Sequence, residues 1–590
     1  MWLINGLTKA LSRLIKSARI LPLLICMCLM ACGGSGGSSN ITSVASVSRE
    51  STAPSSAAFS SLSASSVSSF PVSSSIQSSS VASSAITISG QVTYDFVPYS
   101  ELHNGLDYSA IQVKPVRRAV VELLDANNVL LISDITDDQG SYSLNVEPNK
   151  IVKVRIKAQL LKTQTPSWNF KVTDNTNGNR LYAIDGSLVA ANSDTAVRNL
   201  HAASGWTNAG YTQPRAAAPF AILDSVLTGA DRLIAAGNAK DFSPLELRWS
   251  VLNKAADGDD SLGEIGTSYY KDSVIYILGD ANNDTDEYDR HVILHEWGHY
   301  IEYAFSRSDS LGGDHAYGEK LDMRVALSEG FANAFSAMML DNPEYRDTSG
   351  FQQTDGFVRN LSHKNHAVRG WYSEASIQSI LYNYYNEITG LKQQSIADIL
   401  NVINSENYVN SAAILSVYVF ADELRNQSPV RAETLNSLLV GQNIAITDTF
   451  GEGESNSGGY PGALPTYKTV SINGPSTNVC STNRFGSFNK LAVAQFLKLD
   501  ISAQGIYQIT AQKSGGDSGG DAGDADPDIY LYQKGHLVDQ AESSQVDSES
   551  LRGKLVAGTY IIELVDYRAV DSEYNQAVTA CFDVLVQQVN

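Results

Sequence analysis

Between Gly33 and Ala85 the chain is dominated by serine, with Val, Ala and Ile scattered at no fixed interval. A stretch of that kind cannot bury enough apolar surface to offset the entropy of ordering it, so it reads as a disordered tether. Roughly fifty such residues span on the order of 40 Å, enough to hold folded parts clear of whatever carries the other end. Hydrophobic residues make up 43% of the whole chain, so the disorder is local. The 590 residues exceed what one compact core accommodates, and several domains are expected after the tether.

Ahead of the tether, residues 1–31 carry four basic residues and no acidic one. The basic residues precede the apolar run Ile20–Met30, which is short and interrupted by Pro22. That layout is an export signal rather than a spanning helix. Its end, Leu29-Met30-Ala31-Cys32, resembles the lipobox of bacterial lipoproteins. The resemblance implies cleavage before Cys32, acylation of that cysteine and attachment to a membrane through the lipid anchor. Gly33, standing where Asp would favour inner-membrane retention, implies the outer membrane of a diderm bacterium. The expected layout is therefore a signal peptide over 1–31 and a lipidated Cys32 with its linker over 32–85. The formal charge of −21 argues against a nucleic-acid partner, which needs a basic footprint.

Three folded regions are expected beyond the linker. Residues 86–159 read as short alternating strands separated by turns such as Asp125-Ala126-Asn127-Asn128, the pattern of a small all-β sandwich. The runs Ser-Gly-Gln-Val at 89–92, Ala-Val-Val-Glu-Leu at 119–123 and Thr-Asp-Asp-Gln-Gly-Ser-Tyr-Ser-Leu at 136–144 resemble the transthyretin-like accessory domain of secreted peptidases. Residues 160–455 mix helical stretches (Ala216–Leu227, Ile396–Ile403) with strands (Leu245–Val251, Ser273–Leu278), an α/β (α+β) region large enough for an enzyme. Residues 475–590 are all-β again. Ala-Asp-Pro-Asp-Ile-Tyr-Leu-Tyr at 525–532 and Ala-Gly-Thr-Tyr-Ile-Ile-Glu-Leu at 557–564 resemble the C-terminal β-sandwich module of secreted bacterial peptidases, which is usually accessory. Asp517, Asp521, Asp524, Asp526 and Asp528 crowd one Gly-rich stretch there, an oxygen-donor set that suits Ca2+ or a solvated loop. Of the five cysteines, Cys480 and Cys581 remain once Cys32 is lipidated and the signal is removed. They bracket the last domain, and in an oxidising compartment they are expected to form one disulfide.

One constellation carries chemistry. His295-Glu296-Trp297-Gly298-His299 is an H-E-x-x-H motif in a chain with only nine histidines. Its flanks, Tyr288–Leu294 and Tyr300–Phe305, hold no Pro or Gly and read as a buried helix. The i, i+4 spacing sets the two imidazoles side by side, able to share a cation, while Glu296 is rotated about 100° away toward a water on that cation. The acid-rich start at Asp284, Asp286, Glu287 and Asp289 suits the positive end of the helix. A catalytic zinc needs a third protein ligand and an open position. Glu302 and Phe305 stand where the metzincin pattern requires Gly and His, which excludes that family. Leu327-Ser328-Glu329-Gly330-Phe331-Ala332-Asn333-Ala334-Phe335 offers a second helix whose small residues Gly330, Ala332 and Ala334 allow close approach. The pair of motifs resembles the gluzincin zinc metallopeptidases. That resemblance implies Zn2+ held by His295, His299 and Glu329, with Glu296 as general base. Asn333 stands where thermolysin-like members carry an Asp that orients a ligand His; its amide oxygen can accept but bears no charge.

His291 reads as structural, because a fourth protein ligand would close the site, and His315 reads as a loop histidine between the motif helices, either facing substrate or without a role. His363, His366, Tyr372 and Tyr382 all follow Glu329 at spacings that suit an oxyanion-stabilising group, and the sequence does not choose among them. The strand Ser273–Leu278 is expected, by the same resemblance, to be the edge that pairs with an extended peptide. The expected function is a zinc-dependent endopeptidase at the cell envelope, acting on a protein or peptide substrate. The rivals are an adhesin or glycan-binding lipoprotein on an inactive scaffold, and a zinc hydrolase of a cell-wall amide bond.

Overall fold

The computed structural model describes residues 85–387, 390–516, 525–571 and 576–589. The expected export signal, Cys32 and nearly all of the Ser-rich tract lie outside these residues, as do Asp517, Asp521 and Asp524 of the acidic C-terminal stretch. The chain is multidomain and mostly β-sheet, in several sheets, with a few helices. No helix among the described residues is long and apolar enough to cross a membrane.

Strand β1 (Ile86–Phe96) anchors a small sheet of its own. The main sheet uses β2 (Ala119–Asp125), β3 (Leu130–Ile135), β4 (Ile151–Lys162), β5 (Trp168–Asp174), β6 (Leu245–Trp249), β7 (Tyr269–Lys271) and β8 (Val274–Ile277). Their order across the sheet is β7-β8-β6-β5-β4-β2-β3. Alternation explains β4 and β6 locally. In β4, Val152, Val154 and Ile156 are buried, while Lys153 and Arg155 turn outward to Asp185 at 2.6 and 2.7 Å. The pairing is less local. β5 takes β6 as a parallel neighbour, Phe170 opposite Leu245, and β6 takes β8 in parallel, Leu247 opposite Ile275. The sheet is therefore continuous across 159/160, which falls inside β4.

Helix α1 (Ala218–Ala235) starts with Pro219 in its first turn, where a missing N–H costs nothing. Arg117 reaches its Asp224 at 2.5 Å and Arg118 its Asp231 at 2.6 Å. Helices α2 (Arg290–Phe305), α3 (Met323–Leu340) and α4 (Glu374–Asn386) follow. One hydrophobic cluster runs from Ile88 through the helices to Phe496, Ile561 and Val565.

Those last three residues belong to the C-terminal sandwich. One of its sheets has the order β9 (Tyr467–Val470), β11 (Gln495–Ile501), β16 (Gly558–Asp566), β13 (Pro527–Gln533), β14 (His536–Ala541). The other has β10 (Thr477–Thr482), β17 (Thr579–Val589), β12 (Gly505–Gly515), β15 (Ser548–Leu555). A separate apolar core fills the space between them, with Leu497, Ile509, Phe582 and Val584 at its centre. The first sheet turns its outer face to the helices. There Arg324 of α3 makes a bidentate pair with Glu563 of β16 at 2.7 and 2.8 Å, and both side chains are buried. Arg324 also pairs with Asp322 at 2.8 and 2.9 Å, so truncating Arg324 would leave two buried carboxylates without their cation, a change that typically costs about 3–5 kcal/mol.

Cys480 and Cys581 lie opposite each other on β10 and β17 and are joined by a disulfide across 101 residues of chain. Replacing both with Ser should lower the unfolding free energy by up to about 4–5 kcal/mol in the chain-entropy view, read by urea titration. Two alkylatable thiols in the non-reduced protein would contradict the link.

Candidate metal centre

Helix α2 is buried on nearly every face. Trp297 and Tyr300 pack edge-on against Phe170 of the main sheet, with ring centroids 6.5 and 6.2 Å away. This fixes the rotation of α2 and aims the opposite face, carrying His295 and His299, at α3. The two helices meet at Gly298, where a Cβ would stand 3.1 Å from the Cα of Ala332. Gly330 was expected at the same contact and faces α4 instead, where a Cβ would meet Ile377 at 2.6 Å. Ala332 and Phe335 meet α2 at Gly298, and Gly330 lets α4 close over the other side of α3.

That packing brings the expected ligand residues together. His295 Nε2 and His299 Nε2 are 3.2 Å apart. Glu329 Oε2 lies 3.3 Å from the first and 3.5 Å from the second. The three ligand atoms are within 4.8 Å of one another. His295 and Glu329 are almost wholly buried, at 3% and 2% exposure. The remaining ring nitrogens each face an acceptor. His295 Nδ1 donates to Asn333 Oδ1 at 2.9 Å, and His299 Nδ1 points at Glu302 Oε2 at 3.4 Å, which also accepts from Ser328 Oγ at 2.6 Å. Both Nε2 lone pairs are thereby free to point at a cation. Two imidazoles and one carboxylate around one point, at distances too long for charge-assisted hydrogen bonds, are a donor set that fits zinc. Glu296 is buried beside them, its Oε1 4.0 Å from His295 Nε2.

Sequence reasoning missed three neighbours. Glu302 served there only to exclude another family, yet its carboxylate fixes the His299 ring. His315, expected as a loop histidine, puts Nε2 3.4 Å from Glu329 Oε2 and 3.4 Å from Glu374 Oε2. The Gly-rich loop before His315 was a signal; nothing marked Glu374. His291 turns away, its Nε2 3.2 Å from the Asn342 carbonyl. His366 bonds Tyr317 at 2.8 Å, Tyr372 bonds Asn456 at 2.9 Å, Tyr382 packs at a tilt against Tyr385, and His363 is exposed.

A cleft with a volume of about 510 Å³ opens over Glu296, His299 and Glu329, and none of those last four residues lines it. One wall is Tyr269, Tyr270 and Lys271; the other is the segment from Ser308 to Gly313. The expected edge strand, β8, is not an edge. It is flanked by β6 and β7, and the free edge belongs to the three-residue β7, too short to show a period in sequence.

The acid-rich approach to α2 is buried rather than arrayed on the helix end. Asp289 accepts from the Thr348 backbone N–H and hydroxyl, both at 2.8 Å, and makes no capping bond of its own. Asp284, Asp286 and Asp347 form a second all-carboxylate group within 4.8 Å, a hard-cation donor set. Burial and the neighbouring Asp286 and Asp347 carboxylates raise Asp284 well above the usual carboxylate range, while burial and the Glu287 carboxylate push Asp286 up to about 7.

No protein-family model matches the chain, and no curated protein matches it. Among solved structures, the pre-peptidase C-terminal domain of a collagenase from Bacillus anthracis is 9% identical, over 20% of this chain and 93% of that one, with a TM-score of 0.14. The precursor of protealysin, a metalloproteinase from Serratia proteamaculans, is 8% identical over 47% of this chain and 87% of that one, with a TM-score of 0.30. PliG of Aeromonas hydrophila, a periplasmic inhibitor of g-type lysozyme, is 16% identical over 20% and 97%, with a TM-score of 0.14. Likenesses this slight assign neither a fold nor an activity to the chain.

Burial disfavours charge on His299, but Glu329 and Glu302 outweigh it and raise its pKa well above the ordinary imidazole value. Burial also disfavours charge on Glu329, yet His315 and His299 hold its carboxyl well below the usual range. A cation binding the cluster must therefore compete with the proton that Glu329 and Glu302 favour on His299. Zinc binding should release protons and strengthen as pH rises, measured by titration calorimetry in buffers of different ionisation enthalpy. An affinity independent of pH would contradict this balance.

Proposed function

We propose that this chain is a zinc-dependent endopeptidase, with His295, His299 and Glu329 as the metal ligands and Glu296 as the general base. The observation that supports it is the convergence of those three ligand atoms beside Glu296, at the floor of an open cleft. When bound, the cation would supply a Lewis acid that acidifies a water and polarises the scissile carbonyl.

The residues of the chain divide the remaining work. Glu296 sits one position past His295 on α2, so it stands beside the metal point rather than in it, and its carboxylate takes the proton from the attacking water. The same group then returns a proton to the leaving amine. Asn333 and Glu302 hold the two imidazoles in one tautomer and orientation. An extended peptide would lie along the free edge of β7, its backbone pairing with Tyr269–Lys271. The buried Glu296, closed off by α2 and α3 on the protein side, meets solvent only through the cleft.

Beyond the described residues, we propose that the protein is exported and held at the outer membrane of a diderm bacterium by acyl chains on Cys32, with the Ser-rich linker as its tether. Cys32→Ser should release it into the soluble fraction. A mutant that stays with membranes through a high-salt wash would refute the anchor.

Chelation should abolish cleavage of an unfolded protein substrate, and added zinc should restore it. Glu296→Gln should keep zinc and fold while losing on the order of 10²–10⁴-fold in rate. Glu329→Ala should lower metal affinity itself. Undiminished cleavage by Glu296→Gln would overturn the assignment. Zinc binding with no cleavage of any peptide or protein would favour an inactive scaffold or a hydrolase of another amide bond.

A further inference from the structure

One wall of the cleft depends on the C-terminal sandwich. From Ser306 to Lys320 the chain forms no helix or strand, so little within the segment fixes its path. Its backbone is instead taken up by the loop between β10 and β11. Asn489 Nδ2 donates to the Gly312 carbonyl at 2.7 Å, and Lys490 Nζ donates to the Asp314 carbonyl at 2.6 Å. Both side chains are buried, at 1% and 7% exposure. The same loop holds the far end of the segment. The Asp322 amide donates to the Asn489 carbonyl at 2.8 Å, and the Leu491 amide donates to the Lys320 carbonyl at 2.9 Å.

Between these ties sits His315. A carbonyl only accepts, so His315 Nδ1 donates to the Gly313 oxygen at 3.2 Å, which sets the ring against the turn that Asn489 and Lys490 hold. The other nitrogen stands 3.4 Å from Glu329 Oε2, the carboxylate of the metal point. A continuous chain of contacts thus leads from the sandwich loop, through the Gly312–Asp314 turn and the His315 ring, to Glu329. Lys490 also contacts Asn489 Oδ1 at 2.7 Å and Glu319 Oε2 at 3.3 Å, so the ammonium is held from several sides.

We propose that Asn489 and Lys490 are positioning residues for the metal site, setting Glu329 through the Gly312–His315 turn, so that the C-terminal sandwich is a working part of the enzyme rather than a removable module. The proposal rests on the zinc reading of the site. It goes beyond it by assigning a role to residues 160 positions and more from Glu329 in sequence.

The test uses the full chain and reads the metal, not only activity. Asn489→Ala, Lys490→Met and His315→Gln should each weaken zinc binding about 10–100-fold in chelator competition, as loss of outer-shell support does at metal sites. Each should also shift the visible absorption bands of the cobalt(II)-substituted protein, which report ligand geometry. Lys490→Arg should restore most of the affinity. Val584→Ala, in the inner core of the sandwich and away from the turn, should lower Tm while leaving affinity and cobalt bands unchanged. If Lys490→Met fails to fold, Asn489→Ala carries the same expectation. Unchanged bands and affinity in both Asn489→Ala and His315→Gln, or equal changes in Val584→Ala, would overturn the positioning role. Metal binding that responds as expected without any proteolysis would overturn the peptidase reading alone, and an unaltered chain that binds no metal would overturn both.

Discussion

The contact between Gly298 and Ala332 sets the geometry on which the site depends. Two helices that approach this closely can share a buried point only if their polar side chains match turn for turn. Here His295 and His299 lie four apart on α2, and Glu329 and Asn333 lie four apart on α3. His295 therefore touches both partners, Glu329 through one nitrogen and Asn333 through the other. A bulkier residue at 298 would part the helices and break all of these contacts together. The aromatic packing of Trp297 and Tyr300 on Phe170 supplies the other half of the constraint, because it stops α2 from turning its histidines toward solvent.

Burying so many carboxylates around one helix is costly unless each is answered. Glu287 is answered by Arg215, and Asp289 by Thr348. Glu302 is answered by Ser328. Glu329 is answered only by imidazoles, at distances longer than a strong ion pair prefers. Like the Asp284, Asp286 and Asp347 group, Glu329 has no Lys or Arg paired to it among the described residues.

Much of the local structure was legible, because local structure repeats. Alternation marked β4, β6 and β11, and short apolar runs between turn residues marked β2, β13 and β16. The unbroken flanks of the His-Glu motif marked α2, and the second motif marked α3. Failures came where the deciding partner is far away in sequence. β5 pairs with β6 some seventy residues on, so nothing near 159/160 showed that one sheet crosses it. β8 looked like an edge because its cover, β7, is three residues long. Gly330 looked like part of the α2 contact because only α4, forty-odd residues later, shows which way it faces. His315 and Glu374 have no spacing in common; they meet because α4 closes over α3.

The cleft shows the same division at the scale of the whole site. Its floor is short-range: two motifs about thirty residues apart, on adjacent helices, legible from residue types alone. Its walls are long-range. One is the last strand of a sheet whose other end, β3, begins at Leu130. The other is a segment without regular structure, held by a loop near residue 490. Width and shape of the cleft are thus fixed by two packings that neither motif encodes. Substitutions in the main sheet or in the sandwich can alter which extended chain fits without touching a ligand. A chain can keep an intact motif and change its substrate through walls the motif does not encode, which is why the candidate ligand residues were readable and the substrate was not.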